Sequence, residues 1–425
     1  MVKAGNPFRT EAPAFIKEKV LNWLQRFNTF SFLDSCGLPD QPFDFMAGAG
    51  AASVFESSQP DVLETFRNYH KEKQGKWLFG HLGYGLKISG SFASSQTTDP
   101  LLFPDACFFE PEIVIQLKGG RLEIDAVDAA AVFEAILNTP VPATLTVAPV
   151  ELQPRVNKAA YLQAIGALQQ HIRRGDCYEI NYCIEFFAEG ATIDPVEIYR
   201  RLTEKSPVPF AGLYRLNDKW LICASPERFL KRTGNHIISQ PIKGTLPRHA
   251  QDGALLAKER QDLRNSQKDR AENVMVVDLV RNDLSRICRE GSVRVDELFG
   301  VYSFAQVHQM ISTVSGVLIE NANIPDILKA TFPMGSMTGA PKISVMKLIE
   351  EFEQSKRGIY SGSIGYINPL GDFDLNVVIR SLMYNHSTNY LSCKVGSGIT
   401  IYSEAEKEWE ECLLKAKAIE EVLRG

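Results

Sequence analysis

The chain has 425 residues, 44% of them apolar and 23% charged, and carries a net charge of −5. That length builds one large domain or two ordinary ones around a substantial core. A mildly negative balance offers no basic face to nucleic acid or to an anionic membrane surface, so neither partner is expected.

The first segment, "MVKAGNPFRTEAPAF", lacks the apolar stretch of a signal peptide. "FIKEKVLNWLQRF" (15–27) has the period of a short amphipathic helix. From 42 to about 150, strand-like runs alternate with turns: "FDFMAG", "WLFGHLGYGL", "CFFEPEIVIQL" and "RLEIDAV". "FDFMAGAGAAS" contains a G-x-G after a strand, but Ser53 stands where a dinucleotide fingerprint needs its third glycine, so it reads as a turn. "NTPVPATLTVAPVELQPRV" (138–156) is proline-rich and aperiodic, the best linker candidate. It divides an N-terminal region, 1–150, which contributes strands to a common fold, from a catalytic region, 151–425, and the two are expected to form one intertwined globular unit.

"NKAAYLQAIGALQQHIRRGDCYEINYCIEFFAE" reads as a helix over 158–173, a Gly-Asp turn and a strand. Further strands are expected over 209–215, 220–224, 236–243, 311–319, 361–367, 376–384 and 390–396, and helices over 252–288, 324–331, 341–352 and 404–424. Short turns join neighbouring strands, and helices fall between groups of them. That predicts an α+β fold of antiparallel sheets with helices outside, not a doubly wound parallel sheet. No run of 18 apolar residues predicts a membrane span. The eight cysteines form no C-x-x-C pair and the seven histidines no H-E-x-x-H pattern, which predicts reduced thiols in a cytoplasmic protein and no zinc site.

Three sets of residues carry possible chemistry. "KDRAENVMVVDLVRND" puts Asp269 and Glu272 on one helix face, and "SEAEKEWEECLLKAKAIEEVL" puts Glu408 and Glu411 at the same spacing beside an apolar stripe of Trp409, Cys412, Ala416, Ile419 and Leu423. Singly, each is an ordinary solvated face; together they would suit a hard cation such as Mg²⁺. "FPMGSMTGAPK" (332–342) and "VGSGIT" (395–400) are glycine turns whose free N–H groups suit anions, although turn chemistry alone also accounts for each. Arg380, flanked by apolar residues in "NVVIRSLMY", is placed to bind an anion bidentately.

The order and wording of these segments matter more than any one of them. "SPERF", "PIKGT", "DRAENVMVVDLVRNDLSRI", "FPMGSMTGAPK", "GSIGY", "VVIRS", "GSGI" and "EAEKEWEE" follow one another from residue 225 to the last helix. This series resembles the chorismate-utilising enzymes: anthranilate, aminodeoxychorismate, isochorismate and salicylate synthases. It is specific over roughly 155–425 and looser before that. The resemblance implies α/β/β/α layers with two orthogonally packed, mainly antiparallel sheets. It implies Mg²⁺ on Glu272 and Glu411, with Asp269 and Glu408 behind them, bridging to the ring carboxylate of chorismate. It also implies Arg380 and Tyr366 on the enolpyruvyl carboxylate, and Gly396, Ser397, Gly398, Ser336, Thr338 and Lys342 around the remaining oxygens.

Four positions discriminate among members. Anthranilate synthases typically read P-I-A-G-T; Lys243 in "PIKGT" is the aminodeoxychorismate synthase pattern, in which the lysine attacks C2 while the C4 hydroxyl leaves. Glu227 in "SPERF" matches the family's acid for that hydroxyl. Glu179 in "CYEINY" stands where isochorismate and salicylate synthases carry lysine and ammonia users usually glutamine, and it would bind either an ammonium ion or the lysine. Gln309 occupies the slot of a histidine tied to pyruvate loss in anthranilate synthases, with His308 on the opposite strand face. The implied reaction is amination of chorismate to 4-amino-4-deoxychorismate, toward para-aminobenzoate and folate. No G-x-C-x-G-type nucleophile is present, so ammonia comes either from a separate glutamine amidotransferase (glutaminase) subunit, the expected partner, or from free ammonium. Anthranilate synthesis and a non-catalytic chorismate-binding subunit are the alternatives.

Overall fold

The structure, a computed structural model, describes residues 8–9, 12–39, 41–86, 99–141, 149–250 and 252–424. The opening residues and the middle of the linker candidate, 142–148, lie outside the described residues.

Two antiparallel sheets form the centre. The first sheet includes, neighbour by neighbour, Arg121–Asp125, Ile113–Lys118, Phe45–Ala49, Thr29–Asp34, Phe210–Leu216, Lys219–Ser225, Ser381–Asn385, Tyr390–Ile399 and Glu179–Ala188. The second includes Ile242–Pro247, Val307–Val317, His236–Gln240, Arg228–Thr233, Phe373–Asn376, Ser363–Ile367, Leu78–Leu82, Ala106–Glu110 and Ser53–Ser57. Helices Lys158–Arg174, Pro195–Lys205 and Ala405–Arg424 pack on the first sheet, and Val62–Glu72 and Gln267–Ser285 on the second. The result is the α+β layering expected above.

Alternation along the strands builds the core. Phe30, Phe32 and Ile222 of the first sheet meet Trp23, Tyr161 and Trp409 on its outer face. Leu33, Tyr214 and Cys223 point the other way and meet Phe79, Ile364 and Leu375 of the second sheet. The first sheet is thus covered on both faces, and all of Glu179–Ala188 is buried.

The two sheets draw on both ends of the chain. Thr29–Asp34 pairs with Phe210–Leu216, from Ala211 opposite Asp34 to Leu216 opposite Thr29. Leu78–Leu82 pairs with Ser363–Ile367. "FDFMAGAGAAS" is a strand, a turn with Gly50 at φ +72° and a second strand.

Several elements differ from expectation. The helix expected over 252–288 is two, Gly253–Asn265 and Gln267–Ser285. Ser266 interrupts it: its ψ of 114° leaves the helical region and its side chain accepts the Asp269 N–H as the second helix's cap. The strand expected over 376–384 is also two. Phe373–Asn376 belongs to the second sheet and Ser381–Asn385 to the first, so 377–380 carries the chain across. "VGSGIT" is largely strand, not turn, because Tyr390–Ile399 runs on to pair with Glu179–Ala188. Helices Val62–Glu72, Ala129–Leu137 and Pro195–Lys205 and strands Arg228–Thr233 and Arg294–Ser303 were not anticipated.

Candidate active site

The strand Ile242–Pro247 pairs with Val307–Val317 irregularly: Ile242 lies opposite Ile311, but Thr245 lies opposite Gln309. Lys243 and Gly244 fall in that irregular stretch, where a strand re-aims its side chains. Gly244 has φ +96°, and a Cβ there would sit 2.9 Å from the Asp269 Cβ. Glycine therefore lets the strand pass the start of the carboxylate helix Gln267–Ser285. From the same helix Asn273 donates to the Lys243 carbonyl at 3.5 Å and accepts from the Ser312 hydroxyl at 2.6 Å.

The Lys243 side chain turns inward. Its Nζ donates to Glu179 Oε1 at 2.7 Å, with the two side chains 12% and 2% exposed. A Cβ on Gly398 would lie 2.6 Å from that Oε1 and 3.0 Å from Nζ, so the pair occupies the space a side chain there would fill. Burial works against the ammonium, but the carboxylates of Glu179, Glu272 and Glu227 outweigh it and hold the lysine well above its ordinary range. Glu227 is buried in the loop between Lys219–Ser225 and Arg228–Thr233. Burial pushes its carboxyl up to about 7, against the pull of Ser336, Lys243 and Arg380.

The two carboxylate helices meet at a lysine that sequence reasoning passed over. Lys268 Nζ lies 3.6 Å from Glu408 Oε1 and 3.9 Å from Glu272 Oε1. Burial opposes its charge, but Glu408, Glu272, Glu411 and Asp269 together raise its pKa. All the expected metal ligands therefore surround one positive charge. Glu272 Oε1 is buried without a hydrogen-bond partner, and burial, with the Glu179 and Asp269 charges, lifts its carboxyl to about 7 against Lys243 and Lys268. Burial would raise Glu411 too, but Lys415, Lys268 and Lys243 hold it below the usual carboxylate range. Glu408 is buried and accepts from the Ser397 hydroxyl. Among the described residues no three His, Cys, Asp or Glu side chains stand close enough to hold a metal as they are. An all-oxygen donor set with an orphaned buried oxygen nonetheless suits a hard cation.

Arg380 sits not on a strand but at the crossing between the sheets, with φ +50°. Among the described residues no side chain hydrogen-bonds its guanidinium. Burial lowers its pKa and Glu227 opposes that. It lines a cavity of about 30 Å³ with Pro226 and Gln309, room for a water or two. Gln309 is buried there with an unpartnered Oε1. His308 points to the other strand face, between Ser303 at 2.9 Å and Glu259 at 3.2 Å. A roomier cavity, about 420 Å³ beside Lys17, Cys36 and Arg200, touches none of these residues.

Other expected residues are placed differently. Tyr366 packs among Phe43, Trp77 and Phe79, with ring centroids 6.0, 5.8 and 6.2 Å away, and none of these contacts reaches Arg380. Lys342 is tied to Asp283 at 2.5 Å and to the Thr331 carbonyl at 3.1 Å, behind the site. The Thr338 hydroxyl donates to Met334 O at 3.1 Å. Gly396, Ser397 and Gly398 pair along one edge with Cys183, Tyr182 and Asn181.

One supporting pair was also missed. Arg357, 3% exposed, donates to the Met337 and Asn181 carbonyls at 2.5 and 2.7 Å and to Glu353 at 2.6 Å, over the Tyr84 ring. It ties the 3₁₀ turn Gly335–Met337 to the strand that begins at Glu179. Its i,i+4 spacing from Glu353 was readable; that it would turn inward was not.

Comparison with known proteins identifies the family and the fold. A family model described as chorismate binding enzyme matches residues 36–421. The chain is 39% identical over 269 residues to aminodeoxychorismate synthase component 1 of Salmonella typhimurium, covering 63% of this chain and 58% of that protein. It is 34% identical over 366 residues to an anthranilate synthase component I-like protein of Synechocystis sp., covering 84% and 74%. The chain thus spans about three fifths of the length of the component 1 proteins of Salmonella typhimurium and Klebsiella aerogenes, 58% and 61%, and less of the longer aminodeoxychorismate synthases it matches, such as 37% for that of Streptomyces griseus. Among solved structures, anthranilate synthase component I from Streptococcus pneumoniae superposes with a TM-score of 0.76 at 26% identity, covering 92% of each chain. The menaquinone-specific isochorismate synthase from Escherichia coli shares the fold, with a TM-score of 0.77 at 18% identity over 95% of this chain and 91% of that one. No helix among the described residues is long and apolar enough to cross a membrane.

Proposed function

The chain belongs to the chorismate-binding enzymes, and from that premise we propose that it aminates chorismate at C4 to give 4-amino-4-deoxychorismate, using ammonia from a glutamine amidotransferase subunit. The observation that carries this reading is the inward Lys243 ammonium beside Glu227, an acid that keeps its proton near neutrality. Displacing hydroxide needs a proton donor, and displacing it through C2 needs a nucleophile; the two side chains supply one each.

In this mechanism the Lys243 amine bonds to C2, the ring double bonds shift, and the C4 hydroxyl leaves as water with the Glu227 proton. Ammonia then bonds to C4, the double bonds shift back and the lysine is expelled. Glu227 recovers a proton from the new C4 ammonium. Arg380, with no hydrogen-bonded side-chain partner among the described residues, holds a substrate carboxylate. Glu272 and Glu411, supported by Asp269 and Glu408, would hold Mg²⁺; when bound, the ion offsets the charge of the ring carboxylate. Gln309 in place of a histidine fits a product that keeps its enolpyruvyl group.

Incubation with chorismate, Mg²⁺ and ammonium, followed by mass analysis, tests the reading. The expected product gains nitrogen and retains the enolpyruvyl group; anthranilate, isochorismate or unchanged chorismate would sink it. Lys243→Ala is expected to stop turnover while the folded protein still binds Mg²⁺ by calorimetry. Undiminished turnover in that variant would remove the lysine from the mechanism.

A further inference from the structure

An ammonium has no lone pair, so the lysine mechanism needs somewhere for the Lys243 proton to go. We propose that Glu179 is the base that takes it: its Oε1 accepts from Nζ at 2.7 Å, and the carboxyl returns the proton when the lysine is expelled. This inference rests on the reading of Lys243 as nucleophile.

Several carboxylates face the lysine. Glu227 approaches from the loop, Glu272 from the helix Gln267–Ser285 and Glu411 from the last helix. Asp269, also on Gln267–Ser285, packs on the neighbouring Gly244. Among the described residues only Glu179 is hydrogen-bonded to Nζ. Glu227 must keep its own proton for the leaving hydroxyl. Among the described residues the buried Glu179 Oε2 has no partner, and Lys243 supplies the carboxylate's only hydrogen bond. The residue is also rigidly held: it opens the strand Glu179–Ala188 and pairs with Ala340. Gly398 leaves room for the pair where any side chain would collide with it.

The proton ledger closes. Lys243–NH₃⁺ and Glu179–COO⁻ become Lys243–NH₂ and Glu179–COOH. The amine lone pair forms the N–C2 bond as the C4–O bond breaks, and Glu227 supplies the proton that turns hydroxide into water. Ammonia forms the C4–N bond as N–C2 breaks, freeing the amine, which recovers its proton from Glu179. Glu227 takes one proton from the C4 ammonium. The sum is chorismate plus ammonia giving the aminated product and water, with both glutamates restored.

The test is single-turnover adduct formation with chorismate and Mg²⁺ but no ammonium, followed by intact-protein mass across pH 6–10. Glu179→Gln keeps an oxygen acceptor but cannot take the proton. It is expected to form the lysine adduct about 100-fold more slowly at pH 7, with the deficit shrinking as pH rises and solvent hydroxide takes over. Glu179→Ala is expected to regain rate with added formate, guarding against a folding defect in the first variant. An adduct rate in Glu179→Gln equal to or faster than that of the unaltered protein, with the same pH profile, would reduce Glu179 to a counter-ion and leave the amination reading standing. An unaltered protein that makes aminated product without any adduct would remove the lysine route and this inference together.

Discussion

Glu227 keeps its proton near neutrality because it is nearly dry, and dryness has a stability consequence of known sign. A carboxyl raised from about 4.5 unfolded to about 7 folded takes up a proton on folding between those values. Its contribution is neutral below pH 4.5, turns unfavourable as pH rises toward 7, and stays fully unfavourable above. Glu227→Gln, which cannot ionise, is therefore expected to be more stable than the parent by on the order of 2–3 kcal/mol at pH 8 and by much less at pH 5. Urea unfolding at the two pH values checks this, and an equal gain at both would be against it. The same variant should lose about 100-fold or more in turnover, as an acid that cannot donate. At this scale the sequence drew attention to residues through their type and the family resemblance together. Lys243, Glu227, Glu179 and Arg380 were all named from it. Lys268, Asn273 and Arg357 were not, because their side-chain types are ordinary for a helix surface. What distinguishes them is which backbone or carboxylate the folded chain brings to them.

The two carboxylate helices show why element-level reading was uneven. The stripe Trp409, Cys412, Ala416, Ile419 and Leu423 was legible from spacing and is buried as expected. The break at Ser266 was not, because a single capping serine does not disturb the apolar period on either side. That break sets where the helix Gln267–Ser285 begins, and so where Lys268 stands between Glu272 and Glu408. An ammonium there competes with any cation the carboxylates would bind. Lys268→Met is therefore expected to bind Mg²⁺ several-fold more tightly in calorimetry without substrate, since about 1.4 kcal/mol of removed repulsion is tenfold. Unchanged or weaker binding would show that the lysine does not occupy the cation's place. Strand boundaries suffered from a different ambiguity. A sheet covered on both faces loses the in–out alternation that marks a strand, and Val377, Val378 and Ile379 keep the crossing within 376–384 apolar up to Arg380.

At the scale of the molecule, the linker candidate near residue 150 misleads if it is taken to separate independent units. Phe210–Leu216 is flanked by Thr29–Asp34, and Ser363–Ile367 by Leu78–Leu82. Residues 151–425 expressed alone would expose these strand edges and the inner faces on which Leu33, Phe79 and Phe109 pack. They are expected to aggregate or to lack a cooperative thermal transition, whereas co-expression with 1–150 restores one. A sharp transition from the C-terminal piece alone would contradict this. One further consequence comes from the crossing at 377–380. Arg380 stands on the span by which one chain segment leaves the second sheet at Asn376 and enters the first at Ser381, in a backbone conformation that non-glycine residues seldom adopt. It works as a keystone: neither sheet alone determines its position. An anion seated on it reports on the docking of the two sheets, so its binding energy reinforces the whole arch. At a hundred times its dissociation constant such a ligand adds about 2.7 kcal/mol to global stability, and a half-assembled molecule has no grip to offer it.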